Sequence, residues 1–304
     1  MIKRDFCRRI LVLFILLIMA FPGVVGAQTL VWVVTSNPTS SSDRAYSITS
    51  DDNYIYIAGD DYYSMGDWEW RIEKRRKSDG GVEWAQTSNP SSGWDTVYSI
   101  TSDATYIYIT GSDESSGDEQ WHIEKRRKSD GGLEWAKTSN PAFGWDMPYA
   151  ITSDGTYIYI AGCDASPGDY QWRIEKRRKS DGEIEWAKTS NPSLLFDEIR
   201  SITVDDTYIY IAGIDEGAAL SASQWRIEKR RKSDGGVEWA KTSNPSSGWN
   251  APFSITSDGT YIYIAGYDDS PGFAQWRIEK RRKSDGEIEW AKTSNPSSED
   301  DMAY

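Results

Sequence analysis

The chain has 304 residues, with 47 acidic and 34 basic side chains, one histidine and two cysteines. Its net charge of −13 argues against nucleic-acid binding, because a negatively charged surface repels polyanions. The single histidine excludes multi-histidine metal sites. Two cysteines allow at most one disulfide bond and are too few for a metal–thiolate cluster.

The first 27 residues have the pattern of a signal peptide. Basic residues precede the apolar run Ile10–Phe21, and the small residues Val25 and Ala27 precede the expected cleavage site. The alternative is an uncleaved membrane anchor, but the run is shorter than the roughly 20 residues that span a bilayer. We expect cleavage to leave residues 28–304 as a single domain, secreted or held in the cell envelope, with no membrane segment and a net charge of −16.

An internal repeat organises the remaining chain. The motif "YIYIAG" or "YIYITG" occurs five times, each time followed by a segment close to "WRIEKRRKSDG". The tryptophan that opens this segment recurs every 51 to 53 residues, at Trp70, Trp121, Trp172, Trp225 and Trp276. We place the repeats at residues 45–96, 97–147, 148–198, 199–251 and 252–298.

Each repeat is predicted to form four β-strands. The first is "YSIT", which ends at an Asp-containing turn, and the second is "YIYIAG", whose two faces are both apolar and must both be covered. The third, "WRIEKRRK", joins the fourth, "VEWAKTSN", through an "SDG" hairpin turn. No segment has a helical period, so the fold class is all-β.

Four-stranded units of this length predict a β-propeller of about five blades, in which neighbouring blades cover each sheet. A linear β-solenoid is the alternative, although its repeats are usually shorter. The segment around Trp32, "VWVVTSNP", resembles a sixth copy of the fourth strand, so the ring has an extra terminal strand or is incomplete. In an open ring, the apolar faces of the terminal blades would favour oligomers.

The "YIYIAG" and "WRIEKRRKSDGGVEW" segments resemble the outer-strand signature of PQQ-like and related extracellular bacterial and archaeal propeller repeats. The resemblance covers the whole chain after the signal and implies the fold only. A quinoprotein of that family would carry an adjacent cysteine pair and cofactor ligands, whereas Cys163 stands alone once Cys7 is removed with the signal. We therefore expect no redox role and no cofactor.

The basic segment has two interpretations. A two-residue turn at Asp79 and Gly80 would place Arg76 opposite Glu83 and Arg75 opposite Trp84, so the hairpin would neutralise much of its own charge. We interpret the segment as a solvated outer rim rather than a nucleic-acid site. A rim that binds an anionic surface polymer is the remaining functional alternative.

His122 and the acidic loops are further candidates for a catalytic or metal site. His122 replaces an arginine of the other repeats and has no nucleophile motif beside it, so we expect no catalytic role. Acidic loops follow the second strand, and calcium binding is possible there in principle, but their lengths vary and no metal site is assigned. The first residues of these loops are Asp60, Asp113, Asp164, Asp215 and Asp268.

The connections between repeats carry the candidate ligand-binding residues. Three of them contain "GWD" or "GWN", an aromatic ring beside a carboxylate or an amide, which suits sugar rings and their hydroxyls. The residues are Trp94, Asp95, Trp145, Asp146, Trp249 and Asn250. The alternative is that each tryptophan fills space between blades. The fourth repeat has "LFDE" here, which suggests that the site is not universal.

The sequence therefore predicts a secreted, non-catalytic repeat protein. Several equivalent weak sites would act together as a multivalent binding module, with glycans or cell-surface proteins as partners. One alternative is a propeller hydrolase or lyase that uses the central funnel, which requires non-equivalent acidic residues at the axis. Another is a structural component of the cell envelope.

Overall fold

The computed structural model describes residues 31–39, 41–64, 67–114, 117–140, 143–165, 169–193, 195–216, 222–269, 273–295 and 301. The chain divides into two compact units, Met1–Val33 and Val34–Tyr304. The expected signal peptide lies outside the described residues. Within the described ranges, no helix is long and apolar enough to cross a membrane.

In the described residues, twenty strands form five four-stranded antiparallel sheets, each in sequence order. The strands are β1 Asp43–Ser50, β2 Tyr54–Ser64, β3 Asp67–Arg76, β4 Val82–Ser88, β5 Thr96–Ser102, β6 Tyr106–Asp113, β7 Gln120–Arg127, β8 Leu133–Ser139, β9 Met147–Ser153, β10 Tyr157–Asp164, β11 Gln171–Arg178, β12 Ile184–Ser190, β13 Asp197–Val204, β14 Tyr208–Asp215, β15 Gln224–Arg231, β16 Val237–Ser243, β17 Ala251–Ser257, β18 Tyr261–Asp268, β19 Gln275–Arg282 and β20 Ile288–Ser294. The four strands predicted for each repeat are thereby confirmed.

Each sheet is one blade of a β-propeller. The first strands of consecutive blades (β1, β5, β9, β13 and β17) contact one another and are therefore innermost, whereas the fourth strands form the outer edges. The connections between blades and the loops between second and third strands lie at one end of the blades. The "SDG" turns lie at the other end, because consecutive strands are antiparallel.

The core lies between the blades. In the first interface, Tyr56 and Trp70 of blade 1 pack against Ile100, Ile107 and Ile109 of blade 2, and all five side chains are buried. The other three interfaces between consecutive blades repeat this arrangement. Each blade therefore has a Tyr/Trp face and an isoleucine face, and at each of the four interfaces the Tyr/Trp face of one blade packs on the isoleucine face of the next. The prediction that the second strand is covered on both faces is confirmed for blades 2 to 4.

The basic segment is not a solvated rim, and that prediction was wrong. Lys74 Nζ donates a hydrogen bond of 3.1 Å to the main-chain carbonyl of Lys128 in the next blade, and Trp84 Nε1 donates to the same oxygen at 3.1 Å. The Lys128 ammonium reaches back to Asp51 of the first blade at 3.2 Å. Because the third strand lies inside the sheet and its face is covered by the next blade, these basic side chains link blades.

The predicted hairpin register was also wrong. Arg75 lies opposite Val82 and Lys74 lies opposite Trp84, with a bulge between the two pairs. Four residues rather than two connect Arg76 to Gly81, and within this loop Gly80 adopts a positive φ of 70°. The expected local neutralisation of charge survives, since Arg76 still forms an ion pair with Glu83 at 2.6 Å.

The two end blades each expose a face that is buried elsewhere. Trp276 of blade 5 is 42% exposed, whereas its four equivalents are fully buried. Ile48 of blade 1 is 61% exposed, against 5–7% for its equivalents in the other blades. The ring is therefore open between blades 5 and 1. Residues 31–38 form no strand, so the predicted sixth copy of the fourth strand around Trp32 is wrong.

Candidate functional site: exposed aromatic residues between blades

The three predicted tryptophans lie on the surface. Trp94, Trp145 and Trp249 are 58%, 62% and 44% exposed, although tryptophan is one of the side chains that folding normally buries. The alternative interpretation, that they fill space between blades, is wrong. Their connections lie at the same end of the blades, so the structure presents them on one side of the array.

The polar residue after each tryptophan is buried and holds the connection in shape. Asp95 is fully buried and accepts hydrogen bonds from the main-chain amide and the hydroxyl of Ser91, at 3.0 and 2.6 Å. Burial raises the pKa of Asp95 to about 6 despite these bonds. Asp146 and Asn250 are also fully buried. These three side chains therefore position the aromatic residue and do not present polar atoms to solvent.

A fourth exposed aromatic, Phe196, was missed by sequence reasoning. It is 52% exposed, and Asp197 beside it is buried and accepts hydrogen bonds from Ser193, as Asp95 does from Ser91. The signal was present in the spacing: each exposed aromatic lies five residues after the asparagine of "TSNP". Leu195 in place of glycine obscured the equivalence. The candidate site is thus present at all four connections between blades.

Acidic side chains of the neighbouring loop lie beside three of the aromatic residues. Glu114 accepts a hydrogen bond of 3.0 Å from the Trp94 amide, and Glu216 accepts one of 3.3 Å from the Phe196 amide. At Trp249 the neighbour is Asp269, whose carboxylate packs against Gly248 so closely that a Cβ there would lie 2.4 Å from its oxygen. Three of the four sites therefore combine an exposed ring with a nearby carboxylate, whereas the Trp145 site has Ala165 at the equivalent position. Sequence reasoning did not identify these carboxylates; the signal is an acid directly after the last aspartate of the second strand.

The acidic loops begin with buried, paired carboxylates. Asp164 accepts a hydrogen bond of 2.7 Å from Gln171 and lies 3.5 Å from the Arg173 guanidinium. In the described part of the chain, no group of three or more His, Cys, Asp or Glu side chains is arranged to hold a metal ion.

His122 substitutes for an arginine in a buried charge network. Its ring nitrogens lie 3.0 Å from Asp113 and 3.4 Å from Glu124, where Arg173 contacts Asp164 and Glu175 in the next blade. Burial alone would lower the pKa of His122, but the two carboxylates outweigh it and raise the pKa to about 9. The ring is consequently protonated at neutral pH and is not available as a general base.

The innermost strands differ in blade 4. Glu198 and Arg200 form an ion pair there, and the Arg200 guanidinium lies 4.8 Å from the ring centre of Tyr149. The other blades have Tyr46, Tyr98, Tyr149 and Phe253 at the position of Arg200. Tyr98 and Tyr149 are in edge contact at 5.2 Å. Among the described innermost strands, Glu198 is an acid with no acidic counterpart at the equivalent position of the other blades, which is the kind of residue that an enzyme in the central funnel would require.

Comparison with known proteins gives the fold alone. No family model and no curated protein matches the sequence. The quinohemoprotein alcohol dehydrogenase ADHIIG of Pseudomonas putida HK5 is similar in structure, with a TM-score of 0.52 and 13% identity over 83% of this chain and 42% of its own. A D477G chimera of ACO and RPE65 is also similar in structure, with a TM-score of 0.53 and 8% identity over 84% of this chain and 63% of the chimera.

Hydrazine synthase of Kuenenia stuttgartiensis gives a TM-score of 0.52 at 12% identity, over 82% of this chain and 69% of the enzyme. The chain thus spans less than two thirds of the length of the dehydrogenase and of the chimera. The β-propeller predicted from the repeats is confirmed, and its likeness to a PQQ-type propeller holds at the level of the fold.

Proposed function

We propose that this chain is a secreted, non-catalytic binding module whose ligands contact the four exposed aromatic residues Trp94, Trp145, Phe196 and Trp249. The observation that carries the proposal is their exposure at equivalent positions, each 44–62% accessible, on one side of the propeller. Exposing four large rings costs solvation free energy, of about 25 cal/mol for each Å² of apolar surface left in water. Ligand binding would recover that free energy.

Glycans are the ligand class that this arrangement favours. A sugar ring presents an apolar face that stacks on an aromatic side chain, and its hydroxyls bond nearby carboxylates. Glu114 beside Trp94 is exposed and provides such a group. Since the sites repeat, a polymer with repeating sugar units would engage several of them at once and gain avidity without any strong single contact.

The proposal is tested on a glycan array with the full chain after signal removal. A variant with all four aromatic residues changed to alanine is expected to lose binding while its circular dichroism remains that of the wild type. The matched control is the double variant Leu133→Ala and Val237→Ala. It removes exposed apolar side chains from the opposite ends of the blades.

Binding that persists in the fourfold variant would contradict the assignment of the site. Binding to no glycan, but to a protein extracted from the cell envelope and lost in the same variant, would keep the surface and change the partner class. The Glu198→Gln variant provides a separate comparison: a change in hydrolysis of a bound polymer there would favour the enzyme alternative.

A further inference from the structure

The open faces of the two end blades expose apolar side chains that the proposed function does not use. Blade 5 exposes its Tyr/Trp face, with Trp276 at 42%, Ile278 at 38% and Trp290 at 37% accessibility. Blade 1 exposes its isoleucine face, with Ile48 at 61% and Ile55 partly accessible. Contiguous apolar surface of this kind on a soluble protein marks an interaction site.

The same two faces are already joined four times inside this chain. At each interface between consecutive blades, a Tyr/Trp face covers an isoleucine face, as Tyr210 and Trp225 of blade 4 cover Ile255 and Ile262 of blade 5. The face of blade 5 therefore has the shape and chemistry to receive a blade 1, and no other partner needs to be assumed.

Polar groups at these interfaces are complementary as well. Lys229 and Trp239 of blade 4 both donate to the main-chain carbonyl of Lys283 in blade 5, at 3.0 and 3.1 Å. The Lys283 ammonium in turn lies 3.0 Å from Asp205 of blade 4. Across the open faces, the corresponding positions are held by Lys280, Trp290 and Asp258 on blade 5 and by Lys77 on blade 1.

We propose that blade 5 of one chain binds blade 1 of a second copy, head to tail, through the Tyr/Trp face and the isoleucine face. Such a contact is heterologous, so it generates a larger closed ring if the rotation closes and a filament if it does not. Either outcome would multiply the exposed aromatic residues on one assembly. The proposal goes beyond the binding function and does not depend on it.

The experiment is sedimentation velocity of the full chain after signal removal, over a range of concentrations. The wild type is expected to sediment faster as concentration rises. The variants Ile48→Lys and Ile278→Lys each block one face, and both positions are exposed in the single chain, so the fold should survive. Each variant alone is expected to stay monomeric.

Mixing the two variants distinguishes head-to-tail contact from every other mode. Ile48→Lys keeps an intact face on blade 5 and Ile278→Lys keeps one on blade 1, so an equimolar mixture should form a dimer and nothing larger. Leu133→Lys, which changes an exposed apolar side chain in blade 2 away from both faces, should associate like the wild type. A wild type that stays monomeric at every concentration, through closure of its own ring or otherwise, overturns the proposal. So does a mixture of the two variants that remains monomeric.

Discussion

Replacing the same tryptophan in two neighbouring blades gives a direct measure of what a following blade contributes. Trp225 and Trp276 both begin the sequence "WRIEKRRKSDG", but only Trp225 is covered by a next blade. Trp225 is fully buried and donates its indole N–H to the carbonyl of Tyr267 at 3.1 Å, whereas Trp276 is 42% exposed. The change Trp225→Ala should therefore be considerably more destabilising than Trp276→Ala.

The magnitude follows from the buried surface. A large aromatic side chain buries up to about 250 Å², worth about 25 cal/mol for each Å², so the exposed two fifths of Trp276 correspond to about 2.5 kcal/mol. The lost indole hydrogen bond adds about 1 kcal/mol at Trp225. We expect Trp225→Ala to lower the free energy of unfolding by about 3.5 kcal/mol more than Trp276→Ala does.

Urea unfolding followed by circular dichroism measures this difference, at a protein concentration where sedimentation shows a single chain. The slope of free energy against urea should be compared between the variants, because a changed slope indicates a different amount of surface exposed on unfolding. Equal losses of stability in the two variants would refute the reasoning, since they would mean that blade 5 is covered in solution as fully as blade 4.

Three further predictions concern the charged groups. Lys128→Met should lower the free energy of unfolding by about 1–2 kcal/mol, because it removes the ion pair to Asp51 of blade 1. Lys77→Met, at an exposed position, should change the free energy of unfolding by less than about 0.5 kcal/mol. Thermal unfolding of the two variants compares these effects. The folded pKa of His122 is about 9, above its ordinary value of 6.5, so the contribution of His122 to stability is complete below pH 6.5 and is lost as pH rises to about 9. His122→Arg should abolish this loss. Urea unfolding at several pH values measures it. Asp95 has a folded pKa of about 6, above its ordinary 3.8, so wild-type stability should fall as pH rises from 4 to 6. Burial also raises the pKa of Asp61 and of Asp197 to about 6, so Asp95→Asn, which copies Asn250, should show a smaller fall than the wild type. A pH dependence unchanged by either substitution would contradict the assignment of these groups.

The repeats were sufficient to predict the fold because their signals agree at every level. Alternating Tyr and Ile in "YIYIAG" required two covered faces, and the regular spacing of Trp70 and its equivalents counted the blades. The hairpin register was not predictable in the same way. A four-residue loop with a bulge and a two-residue turn are both compatible with "KSDGG", and one residue of difference exchanges the faces of the strand.

The role of the basic segment depends on which strand forms the outer edge of each sheet. The exposure of the aromatic residues likewise depends on how the strands are arranged in the fold. With the third strand inside the sheet, the Lys74 side chain reaches the next blade instead of solvent. The tryptophans are exposed, and their role as a ligand site stays a prediction. Asp95 was assigned to the ligand, but its carboxylate accepts hydrogen bonds from Ser91. Phe196 and Glu114 were missed although their spacing carried a signal, because Leu195 replaces the glycine of the other connections and the acids lie in a different loop from the aromatic residues.

The central claim is that the exposed aromatic residues act as equivalent sites, and their stepwise removal tests it most directly. One, two, three and then all four of Trp94, Trp145, Phe196 and Trp249 are changed to alanine, and the apparent affinity for a surface coated with the glycan identified on the array is measured. The account predicts that affinity declines by a similar factor at each step, whichever residue is removed first. Complete loss on removal of one particular residue, with no effect from the other three, would contradict it and would indicate a single asymmetric site.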